Sequence, residues 1–253
     1  MSEVVERLQD MGFPVMNRRM WGSVRESLYT RRLQTHPAQK PARYGFGHIT
    51  VTKDTGNFPA DMRTLERIGF ERFGTGISYT WVIDNDTGMI GEGHPLGAKG
   101  SHTVNKKNVP GFPYDLNRYG HGIALLGMPG IRPSMKFQLS FAAILRATWD
   151  EGWMTNDSPL YPHFKFAYKD CPTVPVAQTL PVIRATAIDM GVVGEMEFTD
   201  LVPGAPLDPD GTPLKVGEAL LRGNHAYWQG PVEGSYVDRR LDALEAKAAG
   251  TQT

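Results

Sequence analysis

The chain has a single cysteine among its 253 residues, no net charge and no long apolar run. With only Cys171, an intrachain disulfide is excluded, so folding does not depend on an oxidising compartment. Lysine plus arginine and aspartate plus glutamate both count 27, which removes the basic excess of a nucleic-acid binder. The same balance denies the chain a general pull toward anionic polymers, so any such affinity has to come from a shaped groove or a separate segment. No apolar stretch approaches the roughly 20 residues of a membrane-spanning helix. The first residues, MSEVVERLQDMGFPV, lack the basic start and apolar run of a signal peptide. The expectation is synthesis in the cytoplasm without membrane insertion.

What is present is an ordinary globular composition, 40% hydrophobic and 21% charged, in a length suited to one enzyme domain with an appendage. Residues 1–43 are polar and in places basic, and read as a segment wrapping the domain surface. The run YGFGHITVT at 44–52 is rich in β-formers and predicts a strand. Helical spacing of Met62, Leu65, Ile68 and Phe73 predicts a helix over 61–73, after an Asn-Phe-Pro-Ala turn. ISYTWVI at 77–83 reads as a strand, DNDTG at 84–88 as a turn, and 89–92 as a short return strand. Residues 93–119 shift to Gly, Pro, Asn and Lys, the mark of a long functional loop. A strand resumes at 121–126. The clearest helix spans 133–151, with Phe137, Phe141, Ile144, Leu145, Thr148 and Trp149 on one stripe. Beyond residue 175 the character changes: 203–213 reads as a linker, and 216–222 and 237–249 as short helices. The fold class predicted is α/β, a central mixed, mostly parallel β-sheet flanked by helices, with a C-terminal extension.

A zinc enzyme needs three protein ligands and an open position, and imidazole and thiolate suit the ion. His163 and Cys171 bracket a short segment, HFKFAYKDCP, and His48 ends a β-rich run. On spacing alone, buried packing residues remain the commoner reading of all three. Asp84 and Asp86 lie in a turn signal, where aspartate is ordinary. His36, His121 and His225 read as surface or packing residues, and His94, Glu92 and Asn117 carry no assignment.

The order of motifs resembles the type-2 N-acetylmuramoyl-L-alanine amidases, a family that includes phage endolysins and peptidoglycan recognition proteins. The resemblance runs through VMNRRMWG at 15–22, His48-Ile49-Thr50, SYTWVI at 78–83, Gly100-Ser101-His102, HGIALLG at 121–127 and the closing HFKFAYKDCP. It implies one zinc ion held by His48, His163 and Cys171, catalytic roles for Tyr79 and Lys169, and a substrate contact from His102. It further implies hydrolysis of the amide between N-acetylmuramic acid and L-alanine in bacterial peptidoglycan. The domain bounds that follow are 1–176 for the zinc amidase and 177–253 for an extension serving wall targeting or interaction. A phage endolysin is the natural setting: held in the host cytoplasm before lysis, acting at the cell wall, and released by a separate membrane-permeabilising protein. A peptidoglycan-recycling amidase of the cytosol suits the sequence as well.

The chain departs from the family in three places. His163-Phe164-Lys165 replaces the usual His-Arg-Asp, Ala124 stands where some relatives have glutamate, and the loop between His102 and Asn117 is long. Two other classes of function compete: a recognition module that binds peptidoglycan without cutting it, and an interaction protein docking through its tail. Non-catalytic relatives typically lose the cysteine ligand, so Cys171 favours the enzyme.

Overall fold

A computed structural model of the chain describes residues 2–193; the features read at 203–213, 216–222 and 237–249 lie outside the described residues. Six strands, β1 (Val15–Met16), β2 (Tyr44–Ile49), β3 (Trp81–Asp84), β4 (Ile90–Glu92), β5 (Gly120–Leu126) and β6 (Leu160–Pro162), form one sheet. Their order is β1-β4-β3-β5-β2-β6, and only β3 and β4 pair antiparallel. That pair is joined by the predicted turn, in which Asp84 Oδ1 accepts from the Asp86 and Thr87 backbone N–H groups. Five α-helices and two short 3-10 turns complete the described fold: α1 (Glu3–Asp10), α2 (Glu26–Thr35), α3 (Phe58–Phe73), α4 (Met135–Asp150) and α5 (Val174–Val193), with the turns at Leu116–Arg118 and His163–Lys165. The predicted architecture, a mostly parallel sheet flanked by helices, is the one observed.

Local chemistry sets the helix bounds. α3 starts earlier than its apolar spacing suggests, because the Asn57 side chain caps it by accepting from the Ala60 N–H. Pro59 sits in its first turn, where a missing N–H costs nothing. The Asn-Phe-Pro-Ala turn is therefore the helix start, and Gly74, at φ 66°, ends it. Ser134 caps α4 through the Phe137 N–H; Phe137, Phe141, Ile144, Leu145 and Thr148 are buried as their stripe predicts, while Trp149, in the last turn, is only partly buried.

The N-terminal segment does more than cover the domain. α1 buries Val4, Val5 and Leu8, and Arg7 pairs with Asp150 of α4 at 2.9 Å. Trp21, fully buried, joins Phe58, Met62, Leu65, Ile77, Val82 and Leu126 in a core cluster, and its indole N–H donates to the Glu92 carbonyl at 2.8 Å. At the other end, α5 sets Val176, Leu180, Ile183 and Ala187 on one buried stripe. Leu180 lies under β2, close enough that a Cβ added to Gly47 would sit 2.9 Å from Leu180 Cδ2. Packing on the sheet therefore continues past residue 176. No described helix is long and apolar enough to cross a membrane.

Candidate metal centre

Side chains alternate along β2, so Phe46 and His48 share one face while Gly45, Gly47 and Ile49 share the other. On β5, Gly122 stands opposite Phe46 and Ala124 opposite His48. Gly120, Gly122 and Ala124 keep that face of β5 shallow, and rings fill the space: Phe46 lies against Gly120 and His102 against Gly122. The position that is glutamate in some amidases is thus a small residue beside His48.

β6 runs directly into a 3-10 turn, His163–Lys165, so His163 stands at the end of the strand beside β2. Cys171 returns after a loop to the end of β2, where the Ile49 N–H donates to Sγ at 3.5 Å. The thiol in turn reaches the Ile49 carbonyl at 3.6 Å. All three residues meet beyond the carboxyl ends of parallel strands, where such sheets place their ligands.

His48, His163 and Cys171 are buried, and one ligand atom from each lies within 4.8 Å of the others. Cys171 Sγ is 3.7 Å from His48 Nδ1, close to the about 3.5 Å that separates nitrogen and sulfur around one tetrahedral zinc. His163 Nδ1 is buried with no hydrogen-bond partner among the described residues. A buried polar atom left unmatched is costly, and a cation in this cluster would satisfy it. Two imidazoles and a thiol form a donor set that zinc accepts, so the residues present fit the ion.

The surroundings prepare the ligands for a cation. Burial holds His48 well below the ordinary imidazole range, reinforced by His163, His102 and Lys169. Burial, then Lys169 and Lys106, push His163 down to about 4. Both rings are neutral at pH 7 and have lone pairs to give. Burial raises the Cys171 thiol, opposed by the Ile49 N–H and Lys169, so this ligand releases its proton when a metal enters.

The other predicted residues divide by burial. Tyr79 is half-buried, its ring centroid 5.1 Å from that of His48. It does not lie in the long strand predicted at 77–83, because β3 begins only at Trp81. Residues 77–79 bond outside the sheet, the His94 N–H donating to Tyr79 O at 2.7 Å and the Ile77 N–H to the Tyr29 hydroxyl of α2 at 3.0 Å, while the Thr80 N–H still donates to Gly122 O of β5 at 2.8 Å. This departure from the ladder brings Tyr79 to the cluster. Lys169 is exposed two positions before Cys171, and its charge is felt at all three ligands. His102, assigned to the substrate by resemblance, is only 6% exposed and lies with Nδ1 3.2 Å from His48 Nε2. Thr103 and Asn117 belong to the same group although the sequence assigned them nothing. Thr103 Oγ1 is 3.3 Å from His48 Nε2, and Asn117 Oδ1 accepts from the His102 and Thr103 N–H groups at 2.6 and 2.8 Å. Neither was marked by any signal read in the sequence.

No protein-family model matches the sequence, and no curated protein matches it. Solved structures do. Drosophila peptidoglycan recognition protein SA aligns at 22% identity over 67% of this chain and 91% of its own, with a TM-score of 0.56. Bumblebee PGRP-SA aligns at 18% identity over 67% and 94%, with a TM-score of 0.55. The fold is that of the peptidoglycan recognition proteins. Human PGRP-IBETAC, solved in complex with glycosamyl muramyl pentapeptide, shares it at 21% identity over 65% and 92%, with a TM-score of 0.52. At these identities the likeness is one of fold, and it takes in nearly the whole of each recognition protein.

Proposed function

We propose that this chain is a zinc-dependent N-acetylmuramoyl-L-alanine amidase, hydrolysing the amide between N-acetylmuramic acid and L-alanine in bacterial peptidoglycan. The buried His48, His163 and Cys171 cluster carries the reading, set at the strand ends of a fold otherwise seen in peptidoglycan recognition proteins. One of those proteins, PGRP-LE, was solved with tracheal cytotoxin, a monomeric diaminopimelic acid-type peptidoglycan.

His48, His163 and the Cys171 thiolate would hold the zinc, which when bound supplies Lewis acidity toward water and the scissile carbonyl. Tyr79 supplies a hydroxyl beside the cluster. Burial, and after it the nearby Cys171, raise its pKa, so it stays protonated and donates to charge developing on the carbonyl oxygen. Lys169 adds a positive charge from the loop that leads to Cys171. The lysine two residues before the cysteine is also found in lysozyme-type phage amidases, which supports the endolysin setting. In that setting the protein accumulates in the host cytoplasm, and a separate membrane-permeabilising protein opens its path to the wall.

The test pairs zinc content with cleavage of labelled peptidoglycan, in wild type, Cys171→Ser, Tyr79→Phe and Lys169→Ala. The wild type should hold one zinc and expose new N-terminal alanine, and Cys171→Ser should lose both. Tyr79→Phe and Lys169→Ala should keep the metal and lose roughly 10²–10³ in rate, the cost of removing one preorganised charge-stabilising group. Zinc without cleavage would return the chain to the recognition-module reading, and absence of both would sink the amidase.

A further inference from the structure

We infer that His102 is a positioning residue for the metal centre: with Thr103 it fixes His48 in the tautomer that carries its proton on Nε2 and leaves Nδ1 bare toward Cys171.

The direction of the hydrogen bonds follows from one group that can only accept. His102 Nε2 lies 3.3 Å from the carbonyl oxygen of Gly120, so that nitrogen carries the proton. His102 is buried and none of its hydrogen-bond partners is acidic, so a second proton on the ring would be an unpaired buried charge; Nδ1 stays bare and accepts. Thr103 Oγ1, 2.9 Å away, donates its proton to that nitrogen. Thr103 takes the single lone pair of that nitrogen, so His48 Nε2, 3.2 Å from His102 Nδ1, finds its acceptor in the Thr103 hydroxyl oxygen at 3.3 Å. It has to donate. The opposite arrangement would set two nitrogen lone pairs against each other at 3.2 Å. The one proton of neutral His48 is thus committed to Nε2, and Nδ1, 3.7 Å from Cys171 Sγ, is left with a free lone pair.

The surroundings hold His102 to this one pose. A Cβ on Gly122 would sit 2.7 Å from His102 Cγ, and one on Gly100 would sit 3.0 Å from Cδ2. Asn117 clamps the backbone of both His102 and Thr103 from the other side. Both ring nitrogens of His102 are engaged within the protein, so its action on the substrate passes through His48. Ligating histidines are commonly oriented by such partners, whose loss weakens metal affinity about 10–100-fold.

The inference rests on the proposed zinc site for affinity, and on no metal for the tautomer, so two measurements separate them. In the zinc-free full chain, nitrogen-15 NMR of the histidine rings should show His48 protonated on Nε2. His48 protonated on Nδ1 would overturn the inference whatever metal the protein takes. Chelator-competition titration should show His102→Leu losing about 10–100-fold in zinc affinity, with His102→Gln, which restores an accepting oxygen, recovering most of it. Thr103→Val, a smaller change, gives the same test where His102→Leu does not fold. Unchanged zinc affinity in the folded variants overturns the inference and leaves the amidase intact. A wild type that takes no zinc overturns the amidase reading, while the ring spectrum still decides the tautomer.

Discussion

Replacing Gly122 with alanine would place a Cβ 2.7 Å from His102 Cγ and 2.9 Å from its Nδ1. Replacing Gly47 would place one 2.9 and 3.3 Å from the two terminal carbons of Leu180, on the opposite face of the sheet. Neither glycine has a positive φ, so backbone strain does not enter and the added methyl group is the whole perturbation. Overpacking of this kind costs about 1–3 kcal/mol. Leu180 meets the new methyl with the free end of its side chain, which puts Gly47→Ala near about 1 kcal/mol. The His102 ring is pinned by Gly120, Thr103 and His48, which puts Gly122→Ala near about 3 kcal/mol. Each kcal/mol moves Tm by about 2–4 °C in a chain of this size. Thermal melting of the zinc-free variants, followed by zinc titration, reads both effects. Gly47→Ala should melt a few degrees lower and keep the wild-type affinity. Gly122→Ala should melt lower still and lose roughly 10–100-fold in affinity, because the ring that orients His48 is displaced. Equal losses of affinity in both variants, or none in Gly122→Ala, would refute the idea that the two faces of the sheet do separate work.

Three further outcomes concern residues that are not ligands. Asn117→Ala strips the acceptor from two buried N–H groups; at about 1–3 kcal/mol for each unmatched group, a clear drop in the urea midpoint is expected, and an unchanged midpoint would count against the clamp. Leu180→Ala should cost about 2–5 kcal/mol if α5 is part of the folded core, whereas a loss within error would make the helix an appendage. Acid should destabilise the chain through His94, held at about 3 by burial and then by Arg32, and His121, held at about 4 by burial. Unfolded, each titrates near 6.5, so below that pH the unfolded chain binds protons the folded one refuses, and stability falls as pH falls toward the folded values. At pH 5 each contributes a loss of about 2 kcal/mol. Urea midpoints at pH 7 and 5 should differ accordingly, and His121→Asn should flatten the slope.

The parts of the fold that were legible in the sequence are those long enough to show a period. α3 and α4 repeat their apolar residues over several turns, and β2 and β5 are runs rich in β-formers; each was found at its place, α3 with an earlier start and β2 ending at Ile49. α1 and α2 are short and charged, and α5 is interrupted by Pro181, so their buried sides were hidden. β1 and β6 have two and three residues, too few for any alternation. The cluster of His48, His163 and Cys171 was legible only through an ordered set of motifs, because residues 123 positions apart meet through the pairing of parallel strands, which local spacing does not encode. The arrangement around His102 was hidden for another reason. Its direction is set by the backbone carbonyl of Gly120, and a backbone acceptor leaves no mark in a sequence.

The two margins of the described sheet bear on how a chain-like ligand is held. β1 offers two residues, and β6 offers three and closes on Pro162, which has no N–H to donate. Neither margin presents a row of free backbone groups long enough for another strand to join. Self-association by edge pairing is disfavoured for the same reason. The loops carrying Tyr79, Lys169 and Cys171 converge instead at the strand ends, so the polymer proposed as substrate would lie across those ends and be read by side chains rather than woven into the sheet.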